Sequence, residues 1–207
     1  MLTKLEAISV LQEVINIGVG KAASILNEMV GTHIRLQIPW VDILPFELAK
    51  QELEKRLGED NLSTVELRFT GTLQGSADLV FSTDSASKLV DLVTEESPET
   101  SDLDFLKIGV LTEVGNIVIS GIMGVVSNLL KQEFSYSIPS YIEGSIDQFF
   151  DYSCQDLNTT ILLAQTNFVI ESMNINGDII IVFNLGYFDN LMIAINQFCD
   201  QEIKDNE

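Results

Sequence analysis

The chain has 207 residues, 46% of them hydrophobic and only four prolines, which supplies enough apolar side chain for a folded core. Its 31 acids against 11 bases leave a formal charge of −20, which repels nucleic acid and anionic membrane surfaces and favours a partner presenting Lys or Arg. Cys154 and Cys199 have no metal-ligand spacing, no secreted disulfide framework is suggested, and the N-terminus lacks the order of a signal peptide. No uncharged apolar run reaches ~18 residues without breakers, so the expectation is a cytoplasmic protein without membrane insertion.

Thr3-Lys4-Leu5-Glu6 has the form of a capping box and predicts a helix running to about Gly31, a suitable left-handed terminator. Ile8, Leu11, Ile15, Ala22, Leu26 and Met29 form its apolar stripe; Ser9, Glu13, Asn16 and Gly20 lie opposite. His33 to Pro39 alternates polar and apolar, as a strand that Pro39 should end. Glu47 to Leu57 reads as an exposed charged helix. Val65, Leu67 and Phe69 mark a strand, Gln74-Gly75 a turn, Ala77 to Phe81 a second strand, and Ser85 to Val93 a closing helix. Residues 94–102 read as an acidic linker.

The pattern then repeats. Glu13, Asn16 and Pro39 recur as Glu113, Asn116 and Pro139, each 100 positions on. Ile108, Leu111, Ile122, Val126 and Leu129 recreate the apolar stripe, and Glu133 to Pro139 keeps the strand's phase. Ile142 to Cys154 is an acidic and aromatic variable segment. Thr160 to Ile170 is a strand, Asn176-Gly177 a hairpin turn, Ile179 to Phe183 its partner, and Phe188 to Cys199 a last helix. The expected fold is therefore α+β: a pseudo-twofold, duplicated α-β-β-β-α unit forming a six-stranded sheet covered by helices. Residues 1–207 are read as one domain of two repeats, about 3–93 and 103–199, which resembles a twofold dimer fused into one monomeric chain.

An acid and an amide three apart share one helical face. Glu can pair with a cation, while Asn donates and accepts but has no pKa that would make it a base. Asn can hold a water in a fixed direction, which suits an electrophile already activated, as in phosphoryl transfer to water. The same pair on a surface helix can equally be a solvated pattern that a duplicated scaffold retains by descent.

Ser9-x-x-x-Glu13-x-x-Asn16 followed by Pro39 resembles the helix motif of the CheC-type phosphatases of chemotaxis, the family that includes CheX and FliY. The resemblance covers nearly the whole chain, and the two motif-bearing helices bring it nearest the CheC branch. It implies hydrolysis of the aspartyl phosphate of the response regulator CheY. Asn16 and Asn116 would orient the attacking water, and Glu13 and Glu113 would pair with a regulator lysine. Ser9 and Gly20 would lie against the partner, with Ser120 as the small equivalent of Gly20. Mg²⁺ would belong to the regulator, with no cofactor bound by this chain. The family also implies the receptor deamidase CheD as a second partner, for which Asp147 and Phe149 are the candidate surface. Gly109 stands where the family pattern has Asp or Ser, which puts equality of the two sites in doubt. The alternative is a binding module that sequesters a regulator or CheD without hydrolysis; a flagellar switch component is a more remote reading.

Other features carry less. Gly18-Val19-Gly20-Lys21 has part of the form of a phosphate loop but lacks its full spacing and lies inside a helical pattern. His33, the only histidine, falls on the polar face of a strand and supports neither a triad nor a His-metal site.

Overall fold

The computed structural model describes residues 3–31, 33–57, 61–71, 73–94, 103–153, 160–170, 173–183, 191–193 and 195–197. Helix α1 (Lys4–Val30) starts where the capping box places it: the Glu6 N–H donates to the Thr3 hydroxyl, and the Thr3 N–H donates to the Glu6 carboxylate at 2.7 Å. It stops at Gly31, whose φ of 70° is the left-handed conformation and whose N–H donates to the Asn27 carbonyl. The matching helix α4 (Leu103–Leu130) ends one hundred positions later at Lys131, which adopts φ 52° without being glycine.

The strands are β1 (Ile34–Pro45), β2 (Leu62–Thr70), β3 (Gly75–Ser82), β4 (Ser135–Tyr136), β5 (Ser140–Gly144), β6 (Thr160–Ile170) and β7 (Met173–Phe183). They form one sheet in the order β1-β6-β7-β3-β2-β4, with β5 also pairing β2. The long strand β1 of the first half pairs with the β6–β7 hairpin of the second, while β4 and β5 of the second half pair with β2 of the first. The hairpins meet where β3 pairs β7, with Asp78 opposite Ile180, its own counterpart 102 positions on. Asp78 and Ile180 form the middle pair of this register.

The sheet has seven strands rather than six, because the second long strand is broken at residues 137–139. Pro39 does not end β1, as expected, but sits within it at an irregularity between Gln37 and Trp40. An edge strand tolerates the missing N–H, and the Gln12 side chain donates to the neighbouring Ile38 carbonyl at 3.2 Å. Thr112 is the shorter equivalent of Gln12, and Ile138 is 89% exposed where Ile38 is 3% exposed.

Asn176-Gly177 also departs from expectation. It lies inside β7, with Asn176 opposite Asn167 and Gly177 opposite Thr166, and the β6–β7 connection falls between Ile170 and Met173. Gly177 is required by packing: a Cβ there would come within 2.7 Å of the Phe81 ring.

Each sheet face carries its own apolar layer. One face packs against α1, α4 and helix α3 (Thr83–Thr94), burying Leu11, Ile15, Leu26, Val118, Ile122 and Phe168 among others. The other packs against α2 (Phe46–Leu57) and α5 (Ile146–Ser153) through Leu53, Phe149, Phe150, Leu163 and Ile180. The helix expected at 188–199 is present at 191–193 and 195–197, the rest lying outside the described residues, as do Cys154, Cys199 and positions 95–102 of the linker. Phe105–Leu129 of α4 is long and apolar enough to cross a membrane by length and composition alone; here Leu111, Val114, Val118, Ile122 and Val126 are buried against the rest of the fold.

Candidate functional site

Helices α1 and α4 pack against each other and touch at two glycines. A Cβ on Gly18 would lie 2.5 Å from the Ile122 Cα, and one on Gly121 would lie 2.8 Å from the Gly18 carbonyl oxygen. Each helix buries one face on the sheet and turns the opposite face outward. Glu13 and Glu113 are exposed, and Asn16 and Asn116 are half-buried beside them. The stripe expected to be apolar and buried holds at Leu11, Ile15, Ala22 and Leu26 but not at Met29 or Ile108, which are exposed near the helix ends.

A shallow groove of about 390 Å³ runs between the helices beside Asn116, lined by Lys21 and Ile25 of α1 and by Asn116, Ile117, Ser120, Gly121, Gly124 and Asn128 of α4. The Ser120 hydroxyl donates to Asn116 Oδ1 at 3.3 Å, which takes up one of the two lone pairs of that oxygen. Ile17 and Ile25 are 46% and 51% exposed, giving the carboxamides an apolar surround that a partner surface can dehydrate.

Ser9 is exposed, and its hydroxyl donates to the Leu5 carbonyl of its own helix at 3.1 Å. Gly109 is also exposed, and a Cβ there would meet nothing within 4 Å, so the difference between Ser9 and Gly109 leaves the helix path intact. Gly20 is likewise open, with no neighbour within 4 Å of an added Cβ. The fold itself does not require glycine at that position.

The surface expected around Asp147 and Phe149 is only half present. Asp147 is exposed and pairs with Lys50 of α2. Phe149 is 3% exposed and stacks edge-on against Phe150, which in turn meets Phe46. Phe149 is core, buried in the cluster under α2, so of the two candidate surface residues only Asp147 is accessible.

Polar chemistry also lies under the second sheet face. Asp178 is buried and accepts from Arg56 at 2.9 Å, while the Arg56 guanidinium lies 4.0 Å from the Trp40 ring centre. Burial pushes the Asp178 carboxyl up to about 6, with Arg56 opposing the rise. Asp78 and Glu66 face each other across β3 and β2; burial first, then the Glu66 charge, holds Asp78 well above the usual carboxylate range despite a 2.8 Å bond from Ser76. Neither group opens onto the helix groove. Among the described residues no cluster of three or more His, Cys, Asp or Glu side chains could hold a metal ion.

Lys21, Ile25 and Asn128 are groove residues that sequence reasoning did not select. Lys21 was visible only as part of an incomplete phosphate-loop spelling; the packing of α1 on α4, which puts Lys21 and Asn116 in one groove, is what gives it a place.

No protein-family model matches the chain. A curated relative, the CheY-P phosphatase CheC of Bacillus subtilis (strain 168), is 28% identical over 151 residues, covering 70% of this chain and 69% of that protein. The crystal structure of Thermotoga maritima FliY superposes with a TM-score of 0.75 at 20% identity, covering 96% of this chain and 100% of the other. FliM in a FliM–SpeE complex from H. pylori gives 0.65 at 13% identity, covering 95% and 97%. At these identities the structural likenesses speak for the fold.

Proposed function

We propose that this chain, which belongs to the CheC/CheX/FliY family, is a protein-aspartyl-phosphate phosphatase acting on a chemotaxis response regulator of the CheY kind. The observation that carries the reading is the placement of Glu13–Asn16 and Glu113–Asn116 on the outward faces of two packed helices. The relationship to a CheY-P phosphatase of B. subtilis supports the same substrate.

The chemistry asks little of the protein. A water oxygen attacks phosphorus, the bond from phosphorus to the aspartyl carboxyl oxygen breaks, and the carboxylate and inorganic phosphate are released with the water's protons on phosphate or solvent. The acyl phosphate is already a good electrophile, so what is missing is a water held in line. The carboxamide of Asn16 or Asn116 supplies that orientation by hydrogen bonding, without acting as a base. Glu13 and Glu113 reach outward to pair with a lysine beside the phosphoaspartate, which fixes the partner's register. Mg²⁺ belongs to the regulator's site. The protein acts in the cytoplasm as a monomer, its one domain made of two repeats, and the interleaving of strands from both halves supports that reading.

CheD binding is retained as a second partner relation, with Asp147 on the accessible side of α5 and Phe149 acting only as its support. A non-catalytic binding module would use the same helix face; the presence of both asparagines favours the enzyme. The two separate in one experiment. A regulator loaded with acyl phosphate is mixed with the protein, and phosphate release is followed. Acceleration supports the phosphatase, and binding without acceleration supports the module.

A further inference from the structure

The two sites face different electrostatic surroundings, and the difference lies on the opposite helix. Beside Asn116 the groove is lined by Lys21 of α1 and Asn128 of α4. One hundred positions away in sequence, the counterparts of Lys21 and Asn128 are Gly121 and Glu28. Gly121 cannot become a longer residue without displacing α1, because its Cβ direction points at the Gly18 carbonyl oxygen 2.8 Å away. The close approach of the helices therefore leaves room for a cationic side chain at one site and excludes it at the other.

Lys21 is exposed, and among the described residues no ion pair engages it. On its own helix the positions one turn away are Ile17, Gly18, Ser24 and Ile25, none of which can neutralise it. In a chain of formal charge −20, an unpaired ammonium in a groove beside a candidate catalytic amide is where an anionic partner group gains most.

We infer that Lys21 is the anion-recognising residue of the Asn116 site, contacting the phosphoryl oxygens of the phosphorylated partner, and that it makes this site the stronger of the two. The inference rests on the phosphatase reading and reverses the ranking that Gly109 alone suggests. Lys21 is a specificity residue: it strengthens the encounter and the bound state, while Asn116 orients the water. An exposed charge pair is worth enough for about a two- to five-fold change in affinity, with its loss felt in association rate and salt dependence.

The test isolates each site. In an Asn16→Ala background, Lys21→Gln raises KM for the phosphorylated regulator about two- to five-fold, leaves kcat nearly level and flattens the dependence of KM on ionic strength; Lys21→Arg restores most of the loss. In an Asn116→Ala background the same substitution has a smaller effect. A parallel arm measures affinity for the regulator with and without beryllofluoride standing in for the phosphoryl group, and the loss on Lys21→Gln is larger for the loaded form. Equal effects in both single-site backgrounds, no effect in either, or equal loss for loaded and unloaded regulator would overturn the inference. If the wild-type protein releases no phosphate, the phosphatase reading fails, and the binding arm alone decides the role of Lys21.

Discussion

Gly18 of α1 lies against Ile122 of α4 so closely that a Cβ on Gly18 would stand 2.5 Å from the Ile122 Cα. Backbone meets backbone here, so neither helix can yield by rotating a side chain. Asn16 and Asn116 both lie within two turns of this contact, and their relative placement depends on it. Gly18→Ala is expected to destabilise the protein by about 2 kcal/mol or more through overpacking. Gly20→Ala, two positions on and open to solvent, is expected to stabilise it by up to about 1 kcal/mol through helix propensity. Chemical denaturation of the two variants checks the contrast; equal effects would contradict the packing described.

Asp178 gives the fold a pH dependence of defined sign. Its folded pKa is raised to about 6 from 3.8, chiefly by burial. The folded state therefore binds this proton more tightly than the unfolded state. The favourable increment is fully present below the unfolded value, is lost as pH rises through about 6, and is absent above it. Asp78 acts in the same direction. Comparing Asp178→Asn with wild type at pH 4 and pH 7, the difference in unfolding free energy should move in the variant's favour by up to about 3 kcal/mol. The loss of the Arg56 bond is a constant offset that this difference removes. A stability gap independent of pH would refute the assignment.

On α5, Phe149→Ala is expected to cost about 3 kcal/mol, as removal of a buried aromatic ring does. Asp147→Ala should change stability by less than about 1 kcal/mol, because its partner Lys50 is held at the surface. Thermal melts of both variants distinguish core from surface. If CheD binding depends on this helix, Asp147→Ala is the variant that can report it without loss of the fold.

Local rules accounted for much of the architecture. The Thr3–Glu6 box and Gly31 bounded α1 within a residue, since caps are set by short-range hydrogen bonds. The limits of β6 were legible from its apolar run between breakers. Pro39, Asn176-Gly177 and Phe149 were misread for a common reason. Each has a local preference, for a strand end, a turn or a surface, that was overridden by residues distant in sequence: the pairing of β1 with β6 on both sides of Pro39, Phe81 against Gly177, and Leu53 of α2 in the same buried cluster as Phe149. The exchange of long strands between halves was equally hidden, because repeat periodicity shows that two units match and not which strand pairs with which. At the site, the Glu–Asn pairs could be found from spacing, whereas Lys21 required the partner helix.

The central claim is tested by phosphate release from a regulator carrying an acyl phosphate, measured with wild type, Asn16→Ala, Asn116→Ala and the double variant, each checked for an intact fold. The expected result is partial loss in each single variant, greater for Asn116→Ala, and near-complete loss in the double variant. A double variant that releases phosphate at the wild-type rate would contradict the account.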